Sequence, residues 1–283
     1  MDISIKSKLF LLRYLIIFTV HRWKAVKRGK DLVNYFSFCI FQIQDWLIQS
    51  INIFTNADSM KRSEVNKIIT GVAAFFEKHQ FMLPEWASWS AEDWKGKYPV
   101  CSEIIDNKLG WDITDFGLGD FKKRGLSLFT IRNGNWDKKD KMYCEKIMVA
   151  DEEQETPMHF HWNKTEDIIN RGGGNLVLEL YMAMEDDTFS TEPVSVSIDG
   201  VLTTVEAGKL LILKPGQSIC LKSRVYHRFY GQMGKGRVLI GEVSMVNDDA
   251  SDNRFYDKIG RFPEIEEDEK PFRLLVNDYE KYL

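Results

Sequence analysis

The sequence predicts a mainly β chain, a single antiparallel barrel or jelly-roll sandwich carrying a helical N-terminal arm. Three observations predict it. Apolar residues recur at three- and four-residue spacing from Val65 to Phe76, the pattern turns to short alternating runs from about Leu126, and no helical stretch intervenes between those runs. A chain of 283 residues that is 44% hydrophobic and 13% aromatic is also long and apolar enough to bury a sizeable core, which excludes disorder and fibrous architectures.

Residues 1–59 stand apart. An apolar run from Leu9 to Val20 is preceded by Lys6 and Lys8 and followed by Arg22, Lys24, Lys27, Arg28 and Lys30. Its twelve residues fall short of the about 20 that a bilayer core requires. No small-residue cleavage site follows it, so a signal peptide is disfavoured. We expect residues 1–59 to be a mis-started or dispensable extension, with Met60 as the true initiator; a membrane-surface or partner segment is the alternative.

From Met60 the arm, about 60–120, opens on an amphipathic helix. Val65, Ile68, Ile69, Val72, Phe75 and Phe76 form its apolar stripe between Lys61, Arg62, Glu64, Lys67 and Glu77. Pro84 blocks continuation, and Ser90 with Asp93 three residues later forms a helix-capping signal. The barrel, about 121–262, then reads as strands at Leu126–Thr130, Tyr143–Val149, Leu176–Met182, Val194–Ile198, Val201–Val205, Lys209–Leu213, Tyr226–Tyr230 and Arg237–Val246. Asp199 and Gly200 make a two-residue hairpin turn, and Arg171–Gly174 reads as a tight turn rather than a phosphate cradle, lacking the Lys-Ser/Thr of a P-loop. A tail, 263–283, closes the chain, its acidic stretch Glu264–Glu269 read as a solvated face.

Charge and cysteine usage narrow the partners. Residues 1–59 hold eight basic and four acidic residues, and the remaining 30 basic and 38 acidic residues leave the body at −8. Such a body does not suit nucleic acid. Cys39, Cys101, Cys144 and Cys220 are scattered without a CxxC pair, which points to a reducing compartment such as the cytoplasm and to no thiolate metal site.

Three of the five histidines carry the functional argument. His159 and His161, separated by Phe160, place two imidazoles on one face of an extended segment. Glu166 follows five residues later and His227 lies further along the chain. Three nitrogens and a carboxylate oxygen suit manganese, iron, nickel or zinc.

The spacing of His159, His161, Glu166 and Gly173 resembles the first motif of the cupin superfamily, and the segment Gly208–Gly216 with His227 resembles the second more loosely. Glu153 stands where the first motif has glycine, and Pro215 and Gly216 are adjacent rather than separated. The runs TPMHFHWNKTEDIINRGGGN from Thr156 and GEVSMVNDD from Gly241, with RFPEIEED from Arg261, further resemble the D-lyxose isomerases, from Met60 to near Leu283.

That resemblance implies a cupin barrel holding one divalent metal, Mn²⁺ foremost with Fe²⁺, Co²⁺ or Zn²⁺ as alternatives, on His159, His161, Glu166 and His227. It implies a cytoplasmic homodimer that interconverts free D-lyxose and D-xylulose, and D-mannose and D-fructose. Four ligands on an octahedral ion leave two positions, the number that chelation through O1 and O2 of a sugar requires. Proton transfer between C1 and C2 needs an acid/base, for which Glu242 is the candidate; Lys164 is the candidate to polarise a substrate oxygen. Asp249 and Arg254 are candidates for the distal hydroxyls and Trp162 for an apolar wall against the sugar. An iron-dependent cupin dioxygenase with the same ligands and a non-catalytic sugar-binding cupin are the competing readings.

Overall fold

The computed structural model describes residues 59–138, 141–249, 251–260 and 262–283. Apart from Ser59, the segment read above as an extension or anchor lies outside the described residues. Among the described residues no helix is long and apolar enough to cross a membrane.

The arm begins with a two-residue strand, β1 (Met60–Lys61), and runs into helix α1 (Arg62–Lys78). The apolar stripe behaves as its spacing requires: Val65, Ile69, Val72 and Phe76 are buried. A single 3₁₀ turn at Glu85–Ser88 follows Pro84. Ser90 then caps α2 (Ala91–Trp94): its hydroxyl accepts from the Asp93 N–H while the Asp93 carboxylate accepts from the Ser90 N–H. Helix α3 (Tyr98–Asp106) ends the arm, and residues Gly110–Thr114 already form strand β2. The arm is therefore about fourteen residues shorter than the sequence pattern suggested, because a strand buried on both faces shows no alternation to announce it.

Two antiparallel sheets make the body. The larger has the order β2-β3-β4-β13-β6-β11-β8-β9, where β3 is Leu126–Arg132, β4 Tyr143–Ala150, β6 Glu166–Gly173, β8 Val194–Ile198, β9 Val201–Val205, β11 Ser218–Leu221 and β13 Val238–Met245. The smaller has the order β10-β7-β12-β5-β14, where β5 is His159–His161, β7 Leu176–Met182, β10 Leu211–Leu213, β12 Val225–Gly231 and β14 Asn253–Phe255. The strand expected at Lys209–Leu213 starts two residues late, since the Lys209 N–H turns back onto the Glu206 carbonyl. Asp199 and Gly200 both take positive φ, 49° and 82°, which is the primed turn that matches strand twist. Arg171–Gly173 extends β6, and the turn itself falls at Gly174 and Asn175.

The sheets enclose one core and share a second with the arm. Leu128, Met148, Ile168, Leu178, Phe229 and Ile240 fill the space between the sheets. On the other face of the large sheet, Trp111, Phe129, Ile147 and Leu239 meet Val65, Ile69 and Phe76 of α1. The central strands thus bury both faces, and adjacent residues such as Ile147 and Met148 belong to different cores. Near the chain's far end β15 (Ile265–Glu266) pairs in parallel with β1, and Arg62, fully buried, reaches Glu267 at 2.8 Å and Asp278 at 2.8 Å before the short helix α4 (Tyr279–Tyr282). Part of the acidic tail is therefore a clasp rather than a solvated face.

Candidate metal centre and active site

Strand pairing brings the ligand set together. β5 and β12 are neighbours, with His227 directly opposite His159, and strand alternation puts His161 on the same face as His159. The ligand atoms of the three imidazoles lie within 4.8 Å of one another. Glu166 enters from the first position of β6, its Oε1 2.9 Å from His227 Nε2 and 3.4 Å from His161 Nε2. All four side chains sit inside the barrel.

Two of the imidazoles are set in the tautomer a metal needs. Nδ1 of His159 lies 2.8 Å from the Pro157 carbonyl and Nδ1 of His227 2.9 Å from the Val225 carbonyl. A carbonyl only accepts, so each Nδ1 carries the proton and each Nε2 keeps its lone pair facing inward. Burial drives His159 well below its usual range and lowers His161 as well, which keeps both rings neutral. Glu166 Oε1 is buried without a hydrogen-bond partner. A buried carboxylate oxygen left without a donor, converging with unprotonated ring nitrogens, fits a divalent cation.

A row of alternating charges runs from this centre along the barrel wall. Lys164 Nζ is 2.8 Å from Glu166 Oε2 and 3.0 Å from Glu242 Oε1, and Lys146 Nζ is 3.1 Å from the same Glu242 oxygen. All four groups are at least nine-tenths buried. Burial pulls Glu166 upward, yet the Lys164 ammonium outweighs it and holds the carboxyl well below its usual range. Burial likewise opposes ionisation of Glu242, and Lys146 and Lys164 overcome it. Lys164 loses to burial and gains more from Glu166 and Glu242, so it stays an ammonium. Two carboxylates and two lysine side chains therefore pair with one another inside the barrel.

Register decides what alternation left open for Glu242. It pairs with Lys146 on β4 and with Ile168 on β6, and Ile168 points into the inter-sheet core, so the carboxylate faces inward. A cavity of about 60 Å³ lies between the carboxylate and the imidazoles, floored by Leu128, Met148 and Phe229.

A family profile for D-lyxose isomerase matches residues 60–279. The chain belongs to the D-lyxose isomerase family. It is 49% identical over 228 residues to the D-lyxose/D-mannose isomerase of Serratia proteamaculans, covering 79% of this chain and 100% of that protein. With the D-lyxose/D-mannose isomerase of Escherichia coli O157:H7 it shares 46% identity over 226 residues, again 79% of this chain and all of the relative. Among solved structures, a mutant L-ribose isomerase from Acinetobacter sp. DL28 in complex with L-ribose superposes with a TM-score of 0.50 at 14% identity, covering 74% of this chain and 98% of that one. At that identity the likeness concerns the fold alone. As a member of the D-lyxose isomerase family, the chain is an isomerase.

Within this family member the remaining candidates separate. Asp249 lines the cavity and its carboxylate accepts from Asn253. Trp162 does not reach it: inward His159 and His161 oblige Phe160 and Trp162 to face outward, where the indole meets Phe160 edge-on under Arg224. Arg254, between the cavity residues Asn253 and Phe255, also points away and binds Asp187 at 3.1 Å. The sugar-wall and distal-hydroxyl roles expected of these two are not supported by their placement.

Three residues absent from the sequence reading complete the site. Lys146 is a lone cation among buried apolar neighbours on β4, and that isolation is the signal that would have found it. Asn247 places Oδ1 2.7 Å from Lys146 Nζ. Asp252 accepts the backbone N–H groups of Asn163 and Lys164 on its two oxygens, fixing the turn from which Lys164 projects. Neither had a pattern to announce it, since both lie in loops.

Proposed function

We propose that the protein interconverts D-lyxose and D-xylulose, and D-mannose and D-fructose, by moving a proton between C1 and C2 of the open-chain sugar. The observation that carries this is Glu242, an inward carboxylate between two lysines, facing a cavity that three imidazoles and Glu166 also enter. The full-length relatives named D-lyxose/D-mannose isomerase support the substrates.

A divalent cation, proposed to be Mn²⁺, held by His159, His161, Glu166 and His227 would polarise the sugar carbonyl and steady the charge on its oxygen. The carboxylate of Glu242 takes the proton from C2 of the aldose and returns it to C1 by way of an enediol, while the hydroxyl proton on O2 passes to O1. Held ionised by its lysines, it is ready to accept. Lys164 and Lys146 both donate to Oε1 of that carboxylate and oppose the negative charge that builds on the sugar oxygens. The apolar floor of Leu128, Met148 and Phe229 keeps water from the reacting carbons. The family resemblance supports a homodimer, and the scattered cysteines support a reducing cytoplasm.

Stripping the purified protein with chelator, restoring Mn²⁺, Fe²⁺, Co²⁺ or Zn²⁺ one at a time and assaying D-lyxose, D-mannose and D-xylose tests the reading. Ketose from D-lyxose and D-mannose is expected; ketose from none of them with any metal would defeat it. Glu242→Gln is expected to abolish turnover while metal content stays at the wild-type level.

A further inference from the structure

Asn133 and Asn247 lie in two loops at the same end of the large sheet, just beyond β3 and β13, strands that are separated there by β4. The Asn133 side chain grips the Asn247 backbone at both of its polar groups. Its Oδ1 accepts from the Asn247 N–H at 2.9 Å and its Nδ2 donates to the Asn247 carbonyl at 3.0 Å. This is the bond pattern of a strand pair, made by a side chain just beyond the ends of β3 and β13. Asn133 is itself anchored, since Nδ2 also donates to the Asn107 carbonyl and the Asn107 side chain donates to the Asn133 carbonyl.

What the grip fixes is the Asn247 side chain. Its Oδ1 accepts from Lys146 Nζ at 2.7 Å and from Lys164 Nζ at 3.4 Å, a neutral acceptor shared by the two ammoniums that flank Glu242. An ammonium has three donors and a flexible four-carbon stem, so a second fixed acceptor decides which way it points. We infer that Asn133 is a positioning residue: by clamping Asn247 it orients Lys146, and through Lys146 the carboxylate of Glu242. It touches neither the reacting carbons nor the metal ligands, and the inference rests on the isomerase reading for its effect on turnover.

Asn133 borders a 450 Å³ chamber outside the catalytic cavity, so a shortened side chain there is replaced by water rather than by a dry void. In the metal-loaded enzyme Asn133→Ala is expected to lower kcat on D-lyxose on the order of 10- to 100-fold, the effect of a small misplacement of a reacting group. KM is expected to stay within about twofold and bound metal per chain to stay unchanged, because neither depends on Lys146 orientation. The Lys146 ε-carbon resonance, assigned by its loss in Lys146→Met, is expected to move toward that of a solvent-exposed lysine. Asn133→Asp, which keeps the acceptor for the Asn247 N–H but turns a carboxylate oxygen toward the Asn107 and Asn247 carbonyls, is expected to lower kcat at least as far, and it serves as the second reporter of the Lys146 resonance. An unchanged kcat, or a kcat that falls only in proportion to bound metal and folded fraction, would overturn the assignment. If the wild-type enzyme forms no ketose, the isomerase reading falls by itself. The Lys146 resonance then decides the positioning claim, and an unmoved signal in both variants overturns it.

Discussion

Lys146 and Glu242 face each other across the β4–β13 ladder, Nζ 3.1 Å from Oε1, each more than nine-tenths buried. The carboxylate proposed to carry the proton is thus held by a cation that is as deeply enclosed as itself. Replacing Lys146 with Met keeps the length of the stem and removes the charge. We expect kcat to fall by about 10² or more with metal content unchanged, the size of loss typical for a proton-transfer group. Steady-state kinetics beside metal analysis checks it; turnover within a factor of two of wild type would remove Lys146 from the site.

Glu166 is expected to be the ligand whose charge matters most, because its Oε1 has no partner other than the converging imidazoles. Glu166→Gln should weaken retention of the restored metal by at least about tenfold in a chelator competition. Retention equal to wild type would exclude Glu166 from the ligand set.

Cys144 lies on β4 beside the buried row of lysines and glutamates, itself fully buried, and burial pushes its thiol up to about 12. It should resist a thiol reagent at pH 8 in the native protein and react once the chain is unfolded in urea. Mass mapping of the modified cysteine checks this, and native labelling at Cys144 would mean that the strand opens.

The clasp between Arg62 and the tail makes a pH prediction. Hydrogen bonds from Arg62 lead the influences that hold Glu267 down to about 2, below the ordinary glutamate value of 4.5. A carboxyl depressed in the folded state contributes stability that is complete above pH 4.5 and is lost as pH falls toward 2. Wild type should therefore lose stability more steeply across that window than Glu267→Gln in urea titrations at several pH values. Arg62→Met, which strands the buried Asp278 carboxylate, should cost about 3–5 kcal/mol at neutral pH.

Legibility in the sequence followed burial. Helix α1 and the β8–β9 hairpin could be read because one face of the helix is wet and the hairpin turn has its own residues, Asp199 and Gly200. β2 was missed because all five of its residues are buried, and the short β14 because three residues make no pattern. In the site, His159, His161 and Glu166 announced themselves by spacing along one segment. Lys146 on β4 and Asn247 and Asp252 in the loop after β13 are joined only by the fold, while Trp162 and Arg254 were drawn in by nearness in sequence and turned outward by strand alternation.

The Arg62 clasp joins residues 205 and 216 positions apart. On the ribosome, α1 is made early, and it then waits with Val65, Ile69 and Phe76 uncovered until the strands it packs on have been synthesised. It is locked only when Glu267 and Asp278 have left the exit tunnel. Among the described residues, the first helix to be translated is thus among the last to be secured. A chain cut short before Glu267 would carry every residue of the buried lysine–glutamate row and still lack the ion pairs that tie its arm to the tail.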